Sequence, residues 1–421
     1  MREMKDSGVA WIGEIPKSWN LERLQWHISE IKETNKPEKT KQILSLTNKR
    51  GVIPYEEKGA QGNVSKEDLS QYKLAYPDTI VANSMNVLIG SVGKCNYYGC
   101  VSPVYYVYKP NDGENLEFIN YIFQTEQFQK ELRRYANGIL EIRLRVSSDG
   151  ILKRKVAFPS TDEQQKIVVY LNQKLSQVDS LIANVQAQIE KLKTYKQSLI
   201  TEVVTKGLDP NAPMKDSGVE WIGKIPKHWQ TSKLRTRTTM LTPMRDKPAD
   251  LSGPIPWIRI EDYCGKYISS SKENLGVSTD TVKAMNLKIY PVGTILCTSS
   301  CDLGKCAIVE KELVSNQRFI GIIPTGELVS DFLYYLMLSN AERLNTLSTG
   351  SIQANLSRVS FEQLLVQFPP MAEQIEIAKY LDAKCNAADN LISLKESKIE
   401  KLQQYKRSLI YEYVTGKKEV V

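Results

Sequence analysis

The sequence runs to 421 residues with 41% hydrophobic and 25% charged side chains. These proportions exclude a disordered chain, a collagen and a disulfide scaffold, and allow two or three domains with ordinary cores. Lys and Arg exceed Asp and Glu by 56 − 48 = 8; no apolar run approaches the roughly 18 residues of a membrane span and no leader-like segment opens the chain, so a cytoplasmic protein is expected.

The chain opens on MKDSGVAWIGEIPKSW (4–19), and the frame returns as MKDSGVEWIGKIPKHW (214–229), identical at 13 of 16 positions at an offset of 210. At the same offset, Phe158–Thr205 and Phe368–Thr415 share 23 of 48 positions. Between these frames the copies diverge. The pattern is a tandem duplication in which equal segments share a structural job and unequal ones do different work on one scaffold. Trp11, Trp19, Trp221 and Trp229 lie in the frames and are assigned to packing each domain on its helix.

In the first variable region Thr79–Ala82 reads as a strand. The polar Asn83, Ser84 and Asn86 after it are candidates for reading bases, and ordinary turn chemistry explains them equally well. Gly93-Lys94-Cys95 has a counterpart in Gly304-Lys305-Cys306. A lysine kept while its surroundings change suits a phosphate contact or a structural role, so Lys94 and Lys305 are read in that way. Tyr105, Tyr106 and Tyr108 suit a core strand, and Phe118–Arg134 has helical apolar spacing. From Leu132 to Lys155 stand Arg133, Arg134, Arg143, Arg145, Lys153, Arg154 and Lys155 against Glu141 and Asp149. Arginines among serines, as at Arg143, Arg145, Ser147 and Ser148, suit phosphates and base edges.

A long helix is predicted after Phe158, with Pro159 before it and Ser160 and Glu163 spaced as a capping box. Its apolar residues follow a heptad: Leu171, Val178, Val185, Leu192 and Leu199 on one position, Leu175, Ile182, Ile189 and Val203 on the other, interrupted by Lys196. Such a pattern predicts a coiled-coil seam. Gly207 and Pro210 stop the helix. The second copy repeats the seam with Leu381, Ala388, Leu402 and Leu409, and with Ile392, Ile399 and Tyr413, broken at Lys395 and Lys406, and stops at Gly416. The two helices are natural partners for an antiparallel pair.

In the second variable region Lys233, Arg235, Arg237, Arg245 and Lys247 cluster against Asp246. Trp257-Ile258-Arg259-Ile260 alternates like a strand, which would put Trp257 and Arg259 on one face, with Arg259 a candidate contact. Thr298, Ser299 and Ser300 follow a strand-like Thr294–Cys297, the counterpart of Asn83–Asn86. Asp331–Leu344 has helical spacing.

No catalytic, cofactor-binding or metal set can be assembled. Gly93-Lys94 and Gly304-Lys305 lack the earlier glycine and the following hydroxyl of a phosphate-binding loop. Phe368-Pro369-Pro370-Met371 has its prolines in the wrong order for an adenine-methyltransferase box. Seven scattered cysteines and two histidines, His27 and His228, offer no zinc spacing.

The frames WIGEIPKSW and WIGKIPKHW, the helix starts FPSTDEQQKI and FPPMAEQIEI, and YKQSLI and YKRSLI near the helix ends together resemble the DNA-specificity subunit of type I restriction-modification systems, over essentially the whole chain. The resemblance implies an α+β chain: two mixed α/β target-recognition domains, 1–157 and 208–367, separated by an antiparallel two-helix coiled coil built from 158–207 and 368–421, with internal pseudo-twofold symmetry. Each domain would read one half of a split target in double-stranded DNA, while the helices set the gap and dock modification subunits, two of them. Those partners would methylate adenine N6 with S-adenosylmethionine, and motor-nuclease subunits would add restriction with ATP and Mg; this non-catalytic chain would hold no cofactor and no membrane contact. The family's Gln-, Asn- and Ser-rich segment matches Gly350–Asn355, which adds Gln353, Asn355, Ser357 and Arg358 to the candidates; the first copy differs here (138–145), so the two domains are expected to read different bases. A coiled-coil adaptor that joins proteins without reading DNA is the rival reading.

Overall fold

The reason the two frames match is visible at the starts of the long helices, Thr161–Lys206 and Met371–Val414. The fully buried Trp19 donates its indole N–H to Glu163 Oε2 at 3.0 Å, and Trp229 donates to Glu373 Oε2 at 2.9 Å. One residue further on, Gln164 and Gln374 donate to the carbonyls of Pro159 and Pro369 at 3.2 and 2.9 Å. The same glutamines accept the backbone N–H of Asn115 and Val329, each of which starts a short helix of its domain. Frame, helix start and domain are thus tied by two side chains per copy, each buried amide bonded through both its oxygen and its nitrogen. Charge-assisted hydrogen bonds of the Trp–Glu kind are worth about 1.5–3 kcal/mol. The expected capping box is half formed: Ser160 Oγ accepts from Glu163 N at 3.4 Å, but the Glu163 carboxylate goes to Trp19 and Arg2.

The computed structural model describes residues 2–47, 50–59, 68–138, 144–243, 246–300, 304–347 and 356–420. The chain falls into two units, Met1–Gln186 with Ser397–Val421, and Ala187–Glu396. Each takes one globular domain, the beginning of the long helix that follows it, and the end of the other long helix.

In the first unit a four-stranded antiparallel sheet runs in the order Ile28–Ile31, Tyr105–Pro110, Thr79–Asn83, Val92–Cys95. Thr79–Asn83 is buried along its whole length. Tyr108 is buried and Tyr105 and Tyr106 half-buried, as expected of a core strand. Short helices Leu116–Gln124 and Glu126–Arg133 cover the sheet, and Phe118, Phe123 and Phe128 join Trp19 and Ile167 in one core.

In the second unit the corresponding sheet has five strands and is mixed: Thr238–Leu241, Phe319–Pro324, Ile295–Thr298 and Cys306–Val309 are antiparallel neighbours, and Tyr267–Ile268 adds in parallel. Helix Ser330–Ser339 packs Phe332, Leu333 and Leu336 into the core beneath it. A small extra sheet joins Ile255–Ile258 to Gly276–Val277 and, in parallel, to Val314–Ser315.

Within each unit the long helices pair antiparallel. In the first, Leu171, Leu175, Val178, Val185 and Leu409 are buried and Ile182, Ile399 and Leu402 half-buried; in the second, Ile189 and Leu381 are buried and Leu192, Leu199 and Ile392 half-buried. Of the lysines that interrupt the heptads, Lys395 meets the Gln188 amide across the pair, whereas Lys406 lies 2.7 Å from Asp179 and Lys196 lies 2.7 Å from Asp389. These two ion pairs are one pair repeated by the duplication. A half-exposed ion pair adds little to stability; a charged seam position with a single oppositely charged partner pins the register of the pair. Both helices end at glycines in the left-handed region, Gly207 (φ 78°) and Gly416 (φ 72°), as C′ residues should.

Candidate nucleic-acid interface

The candidate site of the first unit is built where Thr79–Asn83 leaves the sheet. Asn83 is buried and turns inward: its Oδ1 accepts from the backbone of Met85 and Asn86 at 3.0 and 3.3 Å. Ser84 continues beyond the sheet, donating its N–H to Val104 O at 3.3 Å and accepting from Val146 N at 3.0 Å. Three segments remote in sequence therefore lie side by side as a ledge: 104, 84 and 146. Tyr106 donates to Val146 O at 3.1 Å, and the Tyr108 hydroxyl lies 3.2 Å from Ser148 Oγ. Burial pushes both phenols above their ordinary value, and their two hydroxyls hold the third segment. Asn86, Arg145 and Ser147 are exposed on or beside the ledge. Ser147 also caps the turn of helix at Ser148–Leu152, accepting from Gly150 N at 3.0 Å.

The second unit repeats this arrangement with other side chains. Buried Thr298 donates its N–H to Lys305 O at 3.0 Å; Ser299 donates to Arg318 O at 2.8 Å and accepts from Leu356 N at 2.8 Å. Ser357 caps the short helix Arg358–Glu362, accepting from Ser360 N at 3.2 Å. Beneath the ledge Cys297 and Cys306 face each other as buried thiols, and burial raises the Cys297 thiol well above its usual range. Beside the ledge opens a cleft of about 670 Å³, lined among others by Glu261, Tyr263, Lys305 and Arg318.

The structure thus gathers Ser84, Asn86, Arg145 and Ser147 in one unit and Thr298, Ser299, Lys305 and Ser357 in the other, although Asn83 and Thr298 point their side chains inward. Three expected readers stand elsewhere or are engaged. Lys94 lies on the sheet's outer strand, 3.0 Å from Asp78. Arg259 is not on a strand face: the strand ends at Ile258 with Trp257 buried, and Arg259 starts a helical turn, its guanidinium 2.8 Å from Glu273. Arg358 is exposed but pairs one helical turn on with Glu362 at 2.6 Å. Arg143, Gln353 and Asn355 lie outside the described residues. Sequence reasoning missed Val104 and Arg318, which lack any local signal beyond preceding a buried strand. Among the described residues no cluster of three or more His, Cys, Asp or Glu could hold a metal, and no helix is long and apolar enough to cross a membrane.

Residues 238–404 match the family described as the type I restriction modification DNA specificity domain. The chain is 34% identical over 189 residues to the specificity subunit of type I restriction enzyme MjaIX of Methanocaldococcus jannaschii, covering 44% of this chain and 43% of that one. It is 24% identical over 423 residues to the putative MjaX specificity subunit of the same organism, covering 96% and 95%. The chain belongs to the DNA-specificity subunits of type I restriction-modification systems. Such a specificity subunit is a non-catalytic part of its restriction-modification complex. Solved structures agree on the fold: one chain from a study of complex assembly and conformational transition of the type I R-M system superposes with a TM-score of 0.73 at 12% identity, covering 95% of this chain and 98% of that one. The crystal structure of the HsdS subunit from Thermoanaerobacter tengcongensis gives 0.53 at 12% identity, covering 96% and 98%.

Proposed function

We propose that this specificity subunit reads a bipartite target in double-stranded DNA, each unit taking one half-site in the major groove through its ledge. The observation that carries the reading is the ledge itself: three backbone segments joined by the same hydrogen bonds in both copies, presenting Asn86, Arg145 and Ser147 in one and Ser299, Lys305 and Ser357 in the other. A shared frame with unlike polar faces is what two different half-sites require, since donors and acceptors in the major groove distinguish all base pairs. Lys94, Arg259 and Arg358, already paired with acids, serve as phosphate or structural residues. Gln353, Asn355 and Arg143 remain proposed readers on sequence grounds.

The long helices are proposed as both ruler and seat for partners. Leu181 and Tyr405 are 49% and 50% exposed in the first unit, and their duplicates Leu391 and Tyr195 are 48% and 53% exposed in the second. All four occupy one flank of the seam heptad. Identical apolar residues kept exposed in both copies support two equal docking surfaces, hence two modification subunits. Those subunits would carry S-adenosylmethionine and adenine methylation, and motor-nuclease subunits ATP and Mg, all in the cytoplasm.

A binding titration with duplex DNA at several salt concentrations tests the reading. Phosphate neutralisation by several basic residues predicts a linear fall of log affinity with log salt. Absence of sequence-specific binding, or an affinity indifferent to salt, would refute it and leave the adaptor reading.

A further inference from the structure

Val104 and Arg318 occupy one position of the duplicated scaffold. Tyr105 pairs with Asn83 and Phe319 with Thr298 in the two sheets. The residue before each therefore lies beside Ser84 or Ser299, and its carbonyl accepts that serine's N–H. Backbone geometry is the same in both copies and only the side chain differs: a half-buried valine in one, an exposed arginine in the other. Among the described residues the Arg318 guanidinium has no ion pair and no hydrogen bond, in contrast to Arg259 and Arg358. It lines the cleft with Lys305, and among the described residues there Glu261 is the acidic one. The adjacent Asn316 fixes the turn by accepting Arg318 N at 3.1 Å. An arginine whose backbone is clamped and whose fork is left free contributes nothing visible to the fold.

From this geometry we infer that Arg318 reads a guanine in the half-site of the second unit. The guanidinium fork matches the O6 and N7 acceptors of guanine, while a valine at the same place can only meet a thymine methyl or stay silent. The two copies then differ in where they hold an exposed guanidinium without an ion pair among the described residues: on the first ledge segment at Arg318, and on the third at Arg145. This inference rests on the proposed reading of DNA, and one experiment separates the two.

Methylated adenines are mapped genome-wide in cells carrying the wild-type chain, Arg318→Val or Arg318→Gln with the native partner subunits. Arg318→Val installs the residue that the other copy holds at this position, so the backbone clamp is kept. It is expected to relax one guanine of one half-site and to slow methylation of the wild-type motif about 10- to 100-fold, the range of one good bidentate base contact. Arg318→Gln is expected to move the preference at that base pair from guanine to adenine, because glutamine pairs with N6 and N7 of adenine. The other half-site stays as it was and shows that the chain is folded. An unchanged motif in both variants, or slowing that is uniform over all four bases, overturns the assignment of Arg318. A wild-type chain that directs no sequence-specific methylation overturns the reading of DNA instead.

Discussion

Gly416→Ala probes whether the end of the second long helix closes the first unit. Gly416 lies at φ 72°, and an added Cβ would collide with Pro16 Cδ and stand 2.7 Å from its Cγ and 3.2 Å from the Trp19 ring. Two costs add. An L-residue in the left-handed region costs about 1–2 kcal/mol, and pressing a methyl into a packed site about 1–3 kcal/mol, together about 2–5 kcal/mol. Gly13 is the control within the same unit: its φ is also 72°, but an added Cβ meets only Lys417 Nζ, at 3.5 Å. Gly13→Ala therefore bears the backbone cost alone, about 1–2 kcal/mol. For a unit of about 210 residues, each kcal/mol moves the midpoint by roughly 2–4 °C. Scanning calorimetry should show the first transition lowered by roughly 4–20 °C for Gly416→Ala and by 2–8 °C for Gly13→Ala. Hydrogen exchange should rise at Trp19 in the former. Equal shifts for the two variants would refute the idea that the helix end is packed on the frame.

Two further outcomes follow from the helices and the second core. Inserting four residues beside Val185 adds about one helical turn, ~6 Å, against roughly 3.4 Å per base pair; the methylated motif should gain one or two base pairs in its gap with both half-sites unchanged, and an unchanged gap would show that the first helix is not the ruler. Lys266 Nζ lies 2.6 Å from both Asp331 and Asp382. Burial pushes the Asp331 carboxyl up, but the Lys266 ammonium outweighs it and holds the carboxyl below its ordinary value. A depressed carboxylate stabilises the fold above its unfolded pKa of about 4 and ceases to do so as pH falls below that. Lys266→Met should therefore cost about 1–3 kcal/mol near neutral pH and flatten the acid-side loss of stability of the second unit below pH ~4, read by denaturant unfolding at several pH values; an undiminished acid slope would remove Asp331 as its source.

The scaffold was far more legible in the amino-acid chain than the side chains that touch a ligand. The long helices announce themselves because spacing sustained over five heptads is a local pattern, and the duplicated frames because Trp19–Glu163 and Trp229–Glu373 are contacts that both copies must keep. Even there, spacing alone misassigned some residues. Trp221, placed among packing residues, is 45% exposed under the Arg343 guanidinium. Lys196 and Lys406, which read as breaks in the seam, are ion-pair partners across it. The ledge could not be read because it joins residues 84, 104 and 146, or 299, 318 and 356, through backbone hydrogen bonds that no local pattern encodes. Arg259 misled for the complementary reason: alternation suggested a strand face, and Asp262 and Glu273 bend and occupy it.

The exchange of helix ends has a kinetic corollary. Leu409, Ile410, Tyr413 and Val414 belong to the same core as Trp19 and Ile167, so the lobe synthesised first is roofed by residues made only after the whole of the other lobe. Until they arrive, a nascent chain carries an open hydrophobic trough that only a distant stretch of its own sequence can fill. The first lobe should therefore complete its core only after the second has been synthesised.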